Sequence, residues 1–243
     1  MFIYPLIVAV VALVFGVIVL SQWARRRRRQ QLVWSFALLV GAAAASFAFV
    51  GFLETGSELQ FRLYYACATL FAAAYLGMGS LYLVLSRRVA DLILAALAIV
   101  SAFGVALILV APIDHGALLA TRHNGTQGTN VLVPGAWLAL VILNNIFGTV
   151  ALVGVALYSA YRVIQRQAPA RFVVANVVIA AGAFIVAGAG SSARLGVGAP
   201  FWITTTVGYV VLFGGFLLTT NLATLAQRSG GDMRIESGTA SAS

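Results

Sequence analysis

The sequence predicts an all-α polytopic membrane protein, a bundle of seven transmembrane helices with its N-terminus outside and its C-terminus inside. Of its 243 residues, 62% are hydrophobic and 9% are charged, whereas soluble chains carry about 25% charged residues. The mean hydropathy is +1.01. A helix needs about 20 apolar residues to cross the roughly 30 Å hydrocarbon core of a bilayer. Seven runs of about that length are present.

The seven runs predict the helices in chain order. No basic residue precedes the first run, and arginines follow it instead of a small-residue cleavage site, which indicates a retained helix and not a signal peptide. The five prolines lie near run ends or between runs, so proline breaks no span. The runs cover residues 2–21, 32–53, 61–85, 92–111, 135–161, 172–190 and 201–225.

The connections between runs are short, and residues 1–228 therefore form one transmembrane domain with no room for a soluble catalytic domain. Residues 229–243 are rich in Gly and Ser and predict a disordered cytoplasmic tail, because they cannot bury enough apolar surface to fold. The longest connection, 113–133, is rich in Gly, Thr, Asn and Ala. It predicts a solvated connector or, alternatively, a short lid or hairpin over the outer mouth.

The arginines indicate the orientation. The chain has no lysine, and twelve of its fifteen arginines, with three acidic residues, fall in the first, third and fifth connections and after the last run. Three arginines and three acidic residues fall on the other side. Basic connections beside membrane helices usually mark the cytoplasmic side. The prediction is a multi-pass protein of a cytoplasmic (inner) membrane with its N-terminus outside.

Several cofactors are not expected. Without a lysine the chain cannot form a retinal Schiff base. Haem in a bundle generally needs ligands on facing helices, but both histidines, His115 and His123, lie in the long connection. The single cysteine, Cys67, allows no disulfide within the chain and no thiol cluster. No acidic residue lies at the centre of a run, and we expect neither a metal site nor enzymatic activity.

Charged residues cluster at the predicted outer ends. Glu58 and Arg62 are four residues apart and are expected to pair on one helix face. Alternatively, Arg62 or Arg194 faces the bundle mouth and binds an anionic group, with Glu54 as a partner, because a buried arginine needs one. A ligand site is predicted from the outer charges, the aromatic residues near them and the deeper polar residues: Glu54, Glu58, Arg62, Tyr65, Trp137, Asn144, Asn145, Arg194, Trp202 and Thr205.

The deepest polar groups are amides and hydroxyls. Asn144 and Asn145 lie about 14 Å into the fifth run. Adjacent residues are about 100° apart on a helix, so the two are expected not to face one neighbour. One interpretation is that these polar side chains form hydrogen bonds between helices, each worth about 0.6 kcal/mol. The other is a polar patch, with the threonines at 204–206, that touches a ligand or a file of water.

Small residues four apart predict close contacts between helices. The pairs are Gly41 and Ala45, Ala73 and Gly77, and Ala183 and Ala187.

The run Arg25–Arg29 predicts contact with anionic lipid, at about 1 kcal/mol per arginine, or with a partner membrane protein. Nucleic acid is not expected as a partner, because the membrane explains the net charge of +9.

Five segments together resemble a group of uncharacterised bacterial seven-helix membrane proteins. The resemblance implies the fold and a bacterial cytoplasmic membrane, and it carries no activity, cofactor or site. The segments are Phe61–Tyr65, Ala111–Asp114, Leu143–Gly148, Tyr158–Arg162 and Ala193–Gly196.

Three functions compete. Unbroken spans, an aromatic outer rim and the lack of a predicted output domain favour a receptor-like or accessory protein that binds a lipid or small ligand near its outer mouth. The alternative is a small-solute transporter or channel with a polar path past Asn144, Asn145 and residues 204–206. A membrane enzyme acting on lipid ranks third, since its only candidate donors are Asp114 and the two histidines.

Overall fold

The computed structural model describes residues 3–53, 57–124, 131–166, 170–194 and 201–218. These residues are helical apart from turns and one isolated antiparallel bridge, between Ile113 and Leu132. The all-α prediction is confirmed. The predicted tail, 229–243, and Glu54 lie outside the described residues.

The helices match the predicted runs within a few residues at most ends. Apart from the end of the last run, which lies outside the described residues, the largest shifts are of five residues. They occur at the end of α1 and at the start of α5, where polar and charged residues continue the helix beyond its apolar run. A π-helical turn, Cys67–Ala72, joins α3 to α4. The helices are α1 Ile3–Arg26, α2 Arg29–Leu53, α3 Glu58–Ala66, α4 Ala73–Leu81, α5 Arg87–Val110, α6 His115–Asn124, α7 Ala136–Gln165, α8 Ala170–Arg194 and α9 Phe201–Leu218.

Five of the described helices, α1, α2, α5, α7 and α9, are long and apolar enough to cross a membrane. The chain is thus built as a multi-pass membrane protein. The third predicted span, 61–85, is divided among α3, the π-helical turn and α4. The sixth corresponds to α8, whose described apolar part is Val173–Val186. At 30 residues, α7 is about 45 Å long, which exceeds the thickness of the hydrocarbon core.

One end of the bundle, called here the arginine end, carries the turns that join α1 to α2 and α4 to α5. Arg29 of α2 pairs with Asp91 of α5, and the Tyr82 hydroxyl donates to the other Asp91 oxygen at 2.7 Å. Burial and this hydrogen bond raise the pKa of Tyr82 to about 12. Arg27 has a φ of 51°, which is uncommon outside glycine, and its guanidinium lies 4.8 Å from the Trp23 ring centroid.

At the opposite end, called the aromatic end, the connection 113–133 contains α6 and is closed at its neck. Asp114 N donates to Val131 O at 2.8 Å, and Val133 N donates to Pro112 O at 3.0 Å. Val131 is fully buried, and His115 Nδ1 lies 3.6 Å from Glu58 Oε1 of α3. The described part of this connection is therefore anchored at its neck, while Asp114, His115, Gly116 and Leu119 are exposed, so the solvated connector stays a prediction. The two backbone hydrogen bonds at the neck fix the ends of this connection, which its composition did not indicate.

Two glycines bring α4 and α7 into backbone contact. A Cβ built on Gly77 would lie 2.5 Å from the Gly148 carbonyl oxygen. A Cβ built on Gly148 would strike the backbone of Ala73 and Ala74. The predicted close contact at Ala73 and Gly77 is confirmed. Small residues permit this approach because they leave no side chain between the helix axes.

The Gly148→Ala variant should be less stable than the wild type by about 1–3 kcal/mol, because the new methyl group overpacks a backbone contact. Gly154→Ala on the same helix is the matched control, since a Cβ there meets nothing within 4 Å. Thermal unfolding in detergent compares the two variants. Equal midpoints for Gly148→Ala and Gly154→Ala would contradict the close packing of α4 and α7.

Candidate functional site

The π-helical turn in the third span is held by two amide side chains of α7. Asn144 Nδ2 donates to Leu70 O at 3.1 Å and lies 3.2 Å from Ser101 Oγ of α5. Asn145 Nδ2 donates to Thr69 O and to Val141 O of its own helix, each at 2.7 Å. Such wide turns are rare and often occur at functional sites.

The expectation that the two asparagines could not both face one neighbour was wrong. Both reach the π-helical turn, although they leave α7 about 100° apart. Two features of the structure explain this. The contact at Gly148 holds α7 close to the third span, and the bonded carbonyls, Thr69 O and Leu70 O, belong to successive residues of one wide turn. The interhelical hydrogen bonds that the sequence suggested are confirmed.

A cavity of about 160 Å³ lies beside this turn and reaches the aromatic end of the bundle. We call it the Thr205 cavity. Four of the predicted site residues line it: Tyr65, Asn145, Trp202 and Thr205. Small residues of α2, Gly41, Ala44 and Ala45, form part of the wall. The polar and aromatic lining is Tyr64, Tyr65, Thr69, Asn145, Thr149, Phe201, Trp202, Thr205 and Tyr209.

Thr205 is the most informative residue of the cavity. It is 6% exposed, and its hydroxyl oxygen has no hydrogen-bond partner among the described residues. Tyr209 lies one turn further along α9 and is 7% exposed. Its hydroxyl passes over Gly41, where a Cβ would lie only 2.8 Å from the hydroxyl oxygen. Buried hydroxyls normally have partners, so an unpartnered hydroxyl in a cavity wall indicates a place for a ligand or water.

The described lining of the Thr205 cavity carries no charged side chain. Arg62, for which a position facing the mouth was the alternative expectation, lies outside this lining, and its side chain is 13% exposed. Its Nη1 donates to Ile108 O at 2.6 Å, and its Nη2 lies 3.6 Å from Glu58 Oε2. The expected pairing of Glu58 with Arg62 is confirmed. The side chain of Arg194 lies outside the described residues.

Trp137 and Trp202 have different positions. Trp202 lines the cavity, with its ring centroid 6.5 Å from that of Tyr64. Trp137 packs edge-on against Tyr65 at 5.5 Å and donates to Val133 O at 3.0 Å. It therefore supports the cavity wall from behind and anchors the neck of the long connection. Asn144 likewise lies outside the described cavity lining.

Sequence reasoning missed five of the nine polar and aromatic cavity residues. Three of them follow a predicted site residue by four positions: Thr69 after Tyr65, Thr149 after Asn145 and Tyr209 after Thr205. Residues four apart share a helix face. That spacing could have indicated these three residues, whereas Tyr64 and Phe201 are only sequence neighbours of predicted ones.

A second cavity, of about 250 Å³, lies toward the arginine end. We call it the Trp34 cavity. Its polar lining includes Ser80, Ser159 and Asn176, and Leu83 of the turn between α4 and α5 borders it. The Trp34 Nε1 donates to Leu76 O at 3.1 Å and so holds the indole in the wall.

Comparison with protein-family models, with curated proteins and with solved structures finds no match to this chain.

Replacing Asn144 by Leu should lower stability by about 1–3 kcal/mol, because Leu70 O then stays buried without its donor. Gln165→Leu is the control on the same helix. Its amide donates to the Tyr161 hydroxyl on an exposed face, and such surface changes stay within about 0.5 kcal/mol. Unfolding in mixed micelles measures the free energy of unfolding of both variants. If the two variants have equal free energies of unfolding, the hydrogen bond from Asn144 to the π-helical turn does not contribute to stability.

Proposed function

We propose that the chain crosses the membrane seven times, with the arginine end in the cytoplasm and the N-terminus outside. Two helical segments add to the five long apolar helices. One is the unbroken run of α3, the π-helical turn and α4, and the other is α8, of 25 residues. The pairing of Arg29 with Asp91 supports a common side for the first and third connections between spans, as this topology requires. The excess of arginine on that side supports this orientation, and the resemblance to bacterial seven-helix proteins favours a bacterial cytoplasmic membrane.

Reporter fusions test the topology. Green fluorescent protein fused after residue 243 should fluoresce, and alkaline phosphatase fused there should be inactive. Fused in the connection between α8 and α9, alkaline phosphatase should be active, because that connection lies outside in the proposed topology. The reverse activities at the two sites would refute the orientation, and equal activities at both would refute the single span, α9, that the topology places between the two sites.

We propose further that the protein is a non-catalytic, receptor-like or accessory membrane protein that binds a lipid or small ligand in the Thr205 cavity. The observation that carries the proposal is the buried, unpartnered Thr205 hydroxyl in the wall of a cavity at the aromatic end. The Asn145 amide and the Tyr209 hydroxyl add polar groups at the same place. Pockets of this kind, apolar with a few convergent polar groups, are the usual form of a small-molecule site.

The lining favours an uncharged ligand. A charged group placed among neutral side chains would lose its hydration without an opposite charge, and Arg62 is already occupied by Glu58 and Ile108 O. A cavity of about 150 Å³ holds a benzene-sized molecule, so the space at Thr205 suits a compact molecule of that order or the end of a longer lipid. Aromatic rings at Tyr64, Tyr65 and Trp202 favour a flat or aliphatic body.

At the arginine end, we propose that Arg25, Arg26 and Arg28 bind anionic lipid. All three are exposed, whereas Arg27 stacks on Trp23 and Arg29 pairs with Asp91. Attraction between such residues and acidic headgroups contributes about 1 kcal/mol each and is screened by salt. A partner membrane protein would use the same end through these charges.

Native mass spectrometry of the protein in mild detergent tests the ligand site. We expect a reproducible bound mass that Thr205→Val weakens by about two- to tenfold, the effect of one hydrogen bond. Thr206→Val is the matched control, because the Thr206 hydroxyl donates to Trp202 O at 2.7 Å on its own helix and lies outside the described cavity lining.

Equal loss from Thr205→Val and Thr206→Val would place the ligand elsewhere. A protein that carries no bound mass but copurifies with a second polypeptide would support the accessory role and refute the ligand site.

A further inference from the structure

The Thr205 and Trp34 cavities share one boundary. Three residues line both of them, and all three are leucines: Leu76 of α4, Leu152 of α7 and Leu212 of α9. Each is nearly buried, with exposures of 9%, 9% and 6% respectively. We call them the leucine layer. The leucine layer is the apolar boundary that separates the two cavities along the length of the bundle.

Together the two cavities extend through most of the bundle. The Thr205 cavity begins at Phe201 and Trp202, in the first turn of α9. The Trp34 cavity reaches Leu83, which lies beyond the end of α4 in the turn at the arginine end. Leu212 is eleven residues after Phe201, or about 16 Å along α9, which is near the middle of a bilayer about 30 Å thick.

The polar groups continue on both sides of the layer. On α7, Thr149 lines the Thr205 cavity and Ser159 lines the Trp34 cavity, with Leu152 between them. Ser80 and Asn176 add further polar side chains on the side of the layer that faces the arginine end. The described lining of either cavity contains no acidic or basic residue. Uncharged polar groups can exchange hydrogen bonds with a neutral solute, whereas an ion would gain no compensating charge.

We propose that the two cavities are successive compartments of one transmembrane path for small neutral solutes, and that the leucine layer closes it. Apolar constrictions of this kind gate pores by excluding water. The path adds a transport activity to the proposed binding function and rests on it, since the Thr205 cavity is its first compartment. The solute class follows from the lining and the volume: a hydrogen-bonding, uncharged molecule of few heavy atoms, such as a small polyol or amide.

Cysteine accessibility tests whether each cavity opens to its own side. Thr149→Cys and Ser159→Cys are made separately in a Cys67→Ala background, because Cys67 is the only native cysteine. A small neutral methanethiosulfonate is added to right-side-out or inside-out vesicles that hold a membrane-impermeant thiol scavenger on the opposite side, and labelling is read as a mass increase. We expect Thr149→Cys to label from one side and Ser159→Cys from the opposite side.

Failure of the proposed function and failure of the path look different in this assay. If Thr149→Cys labels from neither side, the binding cavity itself is closed and both proposals fail. If Thr149→Cys labels but Ser159→Cys labels from the same side or not at all, the Thr205 cavity stands and the two-compartment path is overturned.

Solute flux tests the leucine layer. Purified protein is reconstituted into liposomes, and glycerol uptake is followed by light scattering. We expect Leu212→Ala to raise glycerol uptake several-fold over wild type without raising potassium leakage. Leu97→Ala is the matched control, because Leu97 is a buried leucine of α5, 7% exposed, that lies outside the described lining of either cavity.

Leu76→Ala is an independent second opening of the layer, for use if Leu212→Ala does not elute as a single species. Glycerol uptake equal to that of Leu97→Ala in the folded layer variants would overturn the gate. A parallel rise in potassium leakage would overturn the assignment to neutral solutes.

Discussion

The hydrogen bonds from α7 to the π-helical turn are the constraint on which the centre of the bundle depends. Inside a bilayer no water is present to satisfy a backbone carbonyl, so each irregular turn needs a donor from the protein. Asn144 and Asn145 supply donors to Leu70 O and Thr69 O. Because the turn is fixed in this way, the residues next to it keep their positions, and Tyr65 and Thr69 form a stable wall of the Thr205 cavity.

Close packing by glycine and an open cavity occur at the same level of the bundle. Gly148 brings α7 against α4, yet it also borders the Thr205 cavity. Gly41 removes the side chain that would otherwise meet the Tyr209 hydroxyl. Membrane helices gain little from hydrophobic burial against each other and rely on van der Waals contact and hydrogen bonds. A space left open among such contacts, with a hydroxyl at its wall, is therefore costly unless something occupies it.

The sequence predicted the fold well and the site partly, for physical reasons. Long apolar runs and the pair at Glu58 and Arg62 are local patterns, and both are found in the structure. The π-helical turn was not predictable, because its residues, Cys67–Ala72, are ordinary helix formers and its stability comes from α7. The partner of Asp91, 62 residues away at Arg29, is a tertiary contact of the same kind. The hydrogen bond from Arg62 to Ile108 O, 46 residues away, was not predictable for the same reason.

One face of α7 connects these features. Asn144, Gly148 and Leu152 are spaced by four residues and lie on successive turns of one stripe. The first holds the π-helical turn, the second contacts α4, and the third belongs to the leucine layer. Since α7 is fixed to the π-helical turn at Asn144 and to α4 at Gly148, Leu76 and Leu152 keep a constant relation to each other. Leu212 belongs to neither helix, and the backbone around it contacts Gly182 of α8 instead. Thr205 lies two turns before Leu212 on the same helix, so an occupant of the Thr205 cavity contacts the helix that supplies one side chain of the leucine layer.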